Sequence, residues 1–171
     1  MYWNELIRKH RQSGILVDTN LLLLLMIGAV DEKMIGGKRT ERYTVGHYRS
    51  LTNLLKNFQH LITTPHILTE VSNLGGTALT GKLREAFFIM LRVPGLFRIE
   101  SVDGYVVEQQ VPRLKVEARH IIRFGLTDAV IAKLCERQIL LISDDFDLYG
   151  IITGQGGEAI NFSHVWDTEN G

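Results

Sequence analysis

The sequence predicts an α/β protein, a three-layer α/β/α sandwich around a central parallel sheet of about five strands. Three observations carry that expectation. Short apolar runs alternate with segments of helical spacing, the pattern that builds a parallel sheet with right-handed crossovers and helices on both faces. Gly14-Ile15-Leu16-Val17-Asp18-Thr19-Asn20 reads as a buried strand that ends on an acid and passes at once into a helix. Ile139-Leu140-Leu141-Ile142-Ser143 reads as a second clear strand, and it too runs into acids, Asp144 and Asp145. With 171 residues the chain is long enough for a sizeable core and too short for two comfortable domains, so residues 1–171 are expected to form one domain.

The elements follow in order. Met1 to Gln12 has the look of a short amphipathic helix without an apolar signal core. After the first strand, Leu21 to Val30 is apolar nearly all round, so this helix is expected to be buried on more than one side. Asp31 to Gly46 turns polar and glycine-bearing and predicts a mobile loop. Helical spacing returns over His47 to His60, with Leu51, Leu54, Leu55 and Phe58 on one face. Leu61-Ile62-Thr63 predicts a strand. Thr64-Pro65 then signals a helix start, with Thr64 as cap and Pro65 at the first helical position. In that helix Ile67, Val71 and Leu74 face the core, Glu70 lies beside the stripe, and Gly75-Gly76 predicts the end.

A further helix is expected over Leu79 to Arg92, closed by Pro94-Gly95, and Leu96 to Ile99 predicts a third strand. Tyr105 to Arg123 predicts a helix disturbed at Pro112. Gly125-Leu126 breaks it, Thr127 can cap, and Asp128 to Arg137 predicts the helix leading into the Ile139 strand. Gly154 to Gly157 reads as a loop and Ala159 to Phe162 as a last short strand.

Composition sets bounds on function. Hydrophobic residues make up 45% and charged residues 22%, an ordinary globular balance. Lysine plus arginine equals aspartate plus glutamate at 19 each. That neutrality removes a global argument for nucleic-acid binding and leaves room for a local basic rim. Cys135, the single cysteine, excludes an intramolecular disulfide and reads as a buried small hydrophobe in a reducing compartment. The apolar run from Leu21 to Val30 is too short to span a bilayer and is flanked by Asp18 and Asp31. A cytoplasmic protein with no membrane segment is the expectation.

The chemistry is in the acids. Asp18 ends the first strand, Asp144 and Asp145 end the Ile139 strand, Asp128 opens the helix before it, and Glu70 sits on a helix that follows a strand. In a parallel α/β sheet the carboxyl ends of all strands lie along one edge, where ligands bind. Carboxylates buried together are costly unless a cation neutralises them or some take up protons. Oxygen-only ligands of this kind suit Mg²⁺ or Mn²⁺. Taken singly, Asp18 and Asp128 could equally cap helices, Glu70 could be an exposed helix charge, and Asp144 and Asp147 could be turn residues.

Val17-Asp18-Thr19-Asn20, then Thr64-Pro65 with Leu68-Thr69-Glu70-Val71, then Gly125-Leu126-Thr127-Asp128-Ala129, then Leu141-Ile142-Ser143-Asp144-Asp145-Phe146-Asp147, taken in that order, resemble the PIN domain family over roughly residues 14–162. The resemblance implies a Mg²⁺- or Mn²⁺-dependent endoribonuclease that leaves a 3′-hydroxyl and a 5′-phosphate. It implies Asp18, Glu70, Asp128 and Asp145 as the catalytic, metal-holding quartet, with Asp147 as a supporting fifth acid. Asp145 matches better than Asp144 because the family pattern has a hydroxyl residue, any residue, then the acid. Thr19, Asn20, Ser143 and Asp144 are implied as supporting groups that orient carboxylates or water. Likeness to toxin members implies an antitoxin partner and a homodimer, and a processing or decay nuclease fits equally well. The departure is the segment from about 31 to 58, a polar insertion longer than small members need.

If RNA is the substrate, positive charge must rim the acids. Lys38, Arg39 and Arg42 in the insertion are the favoured contacts, with Lys33 and Arg49 nearby. Arg113, Lys115, Arg119 and Arg123 are the alternative. Other signals fall away. Gly76 to Leu83 nearly spells a phosphate-binding loop but has Leu83 where a hydroxyl belongs and follows a helix. An aspartate-based phosphotransferase would need an acid where Asn20 stands. No histidines have zinc spacing supported by cysteines, although His66 lies one turn before Glu70 and could approach the site. No Gly-x-Ser-x-Gly occurs. A non-catalytic interaction module on the same fold is the remaining alternative.

Overall fold

The computed structural model describes residues 2–100 and 125–171. Among these, eight α-helices surround five strands: α1 (Tyr2–His10), β1 (Ile15–Val17), α2 (Thr19–Val30), α3 (Val45–Leu55), β2 (Leu61–Thr63), α4 (Pro65–Ala78), α5 (Gly81–Leu91), β3 (Arg98–Ile99), α6 (Leu126–Cys135), β4 (Leu140–Ser143), α7 (Phe146–Gly154), β5 (Ala159–Asn161) and α8 (Phe162–Asn170). A short 3₁₀ turn covers Glu32–Met34. The strands form one sheet in the order β3-β2-β1-β4-β5, and every pair is parallel. The α/β sandwich expected from the alternating pattern is the architecture observed.

That order sets the position of the site. From β1 the chain builds outward to β2 and β3, then returns to place β4 and β5 on the other side of β1. The order therefore reverses at β1 and β4, and the crevice outside their carboxyl ends is where sheets of this kind hold ligands. Register brings Val17 opposite Ile142, so Asp18 and Ser143 come out side by side.

The centre is dry. Ile15, Leu16, Val17, Leu140, Leu141 and Ile142 have no exposed surface. The apolar-all-round α2 is buried along most of its length and packs on α3, α4 and α5, as its composition predicts. Gly14 enters β1 at φ 97°, and a Cβ there would come within 2.6 Å of the His60 carbonyl oxygen, so only glycine fits. The helix α1 is fastened at the opposite edge, where Lys9 Nζ and His10 Nε2 reach Glu158 at 2.8 and 2.7 Å. Buried Cys135 is the small hydrophobe expected, its thiol pushed up to about 12 by burial. Among the described residues no helix is long and apolar enough to cross a membrane.

Several local expectations are corrected. Gly75-Gly76 does not end α4, which continues to Ala78. Gly75 instead lets Phe87 of α5 approach, where a Cβ would come within 2.1 Å of that ring. Gly125, at φ 90°, occupies the cap position of α6, and Thr127 lies inside the helix. The 31–46 segment is not wholly a loose loop: Thr40 and Tyr43 are buried, and α3 begins at Val45 under a Thr44–His47 capping box. His47 stacks on Trp166 of α8 at 4.0 Å between ring centroids, tying the insertion to the C-terminal helix. The helices α7 and α8 are additional to the elements the sequence suggested. The predicted helix over Tyr105 to Arg123, with its basic residues, lies outside the described residues.

Candidate functional site

Asp18 follows β1 and is buried, 3% exposed. It caps α2, its Oδ1 accepting the Leu21 N–H at 2.8 Å. The capping reading therefore holds, and the same carboxylate stands at the carboxyl end of β1 beside Ser143. The Ser143 hydroxyl, at the end of β4, donates to the other oxygen, Oδ2. Ser143 Oγ also accepts the Asp145 N–H at 3.0 Å, so one hydroxyl sets both the Asp18 side chain and the turn that follows β4.

From that turn the two acids go separate ways. Asp144 lies beside Asp18, its side chain only 6% exposed. The Tyr43 hydroxyl donates to Asp144 Oδ2. The Arg42 guanidinium reaches Oδ1 at 3.1 Å and Oδ2 at 3.0 Å and lies 4.9 Å from the Tyr43 ring centre. Asp145 caps α7, its Oδ1 accepting the N–H groups of Asp147 and Leu148 at 2.8 and 3.0 Å. It lies within electrostatic reach of Asp128 in the first turn of α6. Glu70, exposed on α4, completes this side, and Thr19 Oγ1 donates to its Oε2 at 3.0 Å.

The charges act on one another. Burial first, then the neighbouring Asp144 charge, pushes the Asp18 carboxyl from its ordinary value near 3.8 up to about 7, against the hydrogen bonds that favour its ionised form. Burial, then Asp145, then Glu70, pushes Asp128 up to about 6. Burial and the Asp144 carboxylate hold the Tyr43 hydroxyl well above the ordinary phenol range, so it remains a donor.

The structure therefore brings Asp18, Glu70, Asp128 and Asp145 to one edge, in two electrostatic groups. Thr19 donates to Glu70 and Ser143 to Asp18. Asp144 is held by Arg42 and Tyr43. Asp147 and Asn20 are exposed; Asp147 meets Asp145 through its backbone N–H, and among the described residues neither side chain makes a hydrogen bond or ion pair with the other acids. Of the three insertion cations, Arg42 reaches the acids. Lys38 and Arg39 are exposed and lie near Glu41, and Arg49 pairs with Glu32 at 2.8 Å. Tyr43 was missed by the sequence reading, although it is the one aromatic side chain between Asp31 and Gly46.

For a divalent cation the donors fit in kind: they are carboxylate oxygens, and their repulsion is what a hard cation relieves. Their spacing does not yet fit. Among the described residues no group of three or more His, Cys, Asp or Glu side chains stands so that it could hold a metal ion. The stretch resembling a phosphate-binding loop is discounted further, since Gly76 lies within α4. Comparison with protein-family models, with curated proteins and with solved structures gives no match in any of the three.

Proposed function

We propose that this chain is a divalent-metal-dependent endoribonuclease of the PIN type, cleaving phosphodiester bonds in single-stranded or structured RNA with Mg²⁺ or Mn²⁺. The observation that carries the proposal is the gathering of Asp18, Glu70, Asp128 and Asp145 at the switch-point edge, with Asp18 and Asp128 both pushed up by burial and neighbouring carboxylates. When bound, the metal supplies charge neutralisation and a polarised water for attack on phosphorus. Glu70, Asp128 and Asp145, the more exposed acids, are the side chains that would hold it, with the buried Asp18 in a positioning role. Ser143 and the Leu21 N–H keep Asp18 in one orientation, and Thr19 does the same for Glu70. Arg42 offers positive charge at the rim of a site that otherwise repels a polyanion.

A homodimer and an antitoxin partner enter this proposal only through the likeness to toxin members. A processing or decay nuclease would use the same site. One observation favours a second reading, a non-catalytic module: among the described residues no three acids stand so that they could hold a metal ion. Purified protein should cut single-stranded RNA with Mn²⁺, leave 5′-phosphate ends, and stop on adding EDTA. Asp145→Asn should remove the cleavage. Absence of cleavage with every divalent metal tried, by a folded protein, would favour the module.

A further inference from the structure

An open cleft of about 400 Å³ adjoins the acids between α4 and the start of α6. We infer that it is a nucleobase subsite, holding an unpaired base of the RNA strand next to the cleaved phosphate. The inference rests on the nuclease reading and adds to it a specificity-determining surface.

The lining is part apolar and part polar. Pro65 and Leu126, the latter 51% exposed, offer the apolar surface on which a planar ring can lie. His66, Thr69, Asn73 and Thr127 line the same cleft. These polar groups have spare capacity. The Asn73 carboxamide and the Thr127 hydroxyl make no hydrogen bond among the described residues, and Nδ1 of His66 is buried without a partner. Thr69 donates to the Pro65 carbonyl at 2.8 Å and keeps its lone pairs for accepting.

Charge decides between a base and a phosphate. The cleft contains Glu70, has Asp128 one residue from its edge, and has no lysine or arginine among its described lining residues. A phosphate would be repelled there, whereas an uncharged heteroaromatic ring with amide-like edges would not. Asn73 can give and accept two hydrogen bonds side by side, the pattern that reads a base edge. Stacking surface with a few convergent polar groups is how unpaired RNA bases are read. Because the cleft shares Glu70 with the acid site, its base would belong to a nucleotide close to the reacting phosphate.

The test compares wild type, Asn73→Ala, Asn73→Asp and His66→Ala, with metal-induced thermal shift and circular dichroism as checks on the site and the fold. Cleavage of oligoribonucleotides randomised at each position reads the base preference. Chemical shifts on titration with AMP, GMP, CMP and UMP read base binding without cleavage. The expected result is a wild-type preference at one position, flattened roughly five- to tenfold by Asn73→Ala and turned toward a different base by Asn73→Asp, with the metal shift unchanged. Wild-type cleavage with a preference that all three variants retain would overturn the subsite and leave the nuclease reading standing. If wild type cuts nothing, the nuclease reading fails, and the nucleotide titration decides alone. Shifts at Asn73, Leu126 and Thr127 that Asn73→Ala abolishes would support a base subsite, and no shifts there would overturn it.

Discussion

The acids at the carboxyl edge form two groups held in opposite ways. Asp18 and Asp144 are enclosed. Their oxygens are engaged by Ser143, the Leu21 N–H, Tyr43 and Arg42, and Asp18 is 3% exposed. Glu70, Asp128 and Asp145 are open, each at least partly exposed, with Thr19 the one side chain that donates to any of them among the described residues. Enclosure turns a carboxylate into part of the scaffold, because each oxygen already has a donor. Openness leaves carboxylate oxygens, such as Asp145 Oδ2 and Glu70 Oε1, that water or a cation can satisfy. Under the proposed nuclease function, the difference would give Asp18 a positioning role and leave Glu70, Asp128 and Asp145 as the acids to meet an ion.

The sharpest way to break that comparison is Asp128→Asn. It keeps the shape and removes one charge from the open group. Mn²⁺-dependent cleavage should fall more than about 100-fold, while the metal-free protein melts at or above the wild-type temperature because a repulsion is gone. Paired cleavage assays and melting curves check it; a drop in metal-free stability of several degrees would show that Asp128 belongs to the scaffold instead.

The enclosed group should answer the other way. Ser143→Ala removes the donor to a buried carboxylate and an acceptor for the Asp145 N–H, so unfolding free energy should fall by about 1–3 kcal/mol in urea titrations. Tyr43→Phe removes one of the contacts to Asp144, and with Arg42 still present its cost should be about 1 kcal/mol. If both substitutions were neutral, the enclosed acids would not be held as described.

Proton linkage separates the groups further. The Asp18 carboxyl is raised from about 3.8 to about 7 in the folded state, so the folded protein binds protons more tightly than the unfolded chain. That contribution to stability is present at low pH, declines as pH rises from about 4 to about 7, and is flat above. Asp128, raised to about 6, adds the same sign over a narrower window. Metal-free protein should therefore lose stability across this range relative to Asp18→Asn, whose curve is flatter. Wild-type and Asp18→Asn curves of equal slope would remove the raised Asp18 pKa from the account.

Much of this was legible in the sequence. Ile15-Leu16-Val17 and Leu140 to Ser143 are apolar runs ending on acids, and period and composition suffice to place such runs as central strands. Thr64-Pro65 marked the start of α4 by cap chemistry alone. Two kinds of feature were not legible. Gly75 reads as a helix stop, and only the approach of Phe87 from a different helix explains its place inside one. Tyr43 stands in a polar stretch, and its contact with Asp144 spans 101 residues, beyond any local pattern. The division of Asp144 from Asp145 has the same origin: spacing named both acids, and long-range packing decided which is enclosed.

Anomalous diffraction from a crystal soaked in Mn²⁺ tests the central claim most directly. The account predicts one or more peaks within coordination distance of the Glu70, Asp128 and Asp145 carboxylates, which draw together around the ion, while Asp144 stays with Tyr43 and Arg42. No peak at this edge at millimolar Mn²⁺, or a peak only at some other acid such as Glu158, would contradict it.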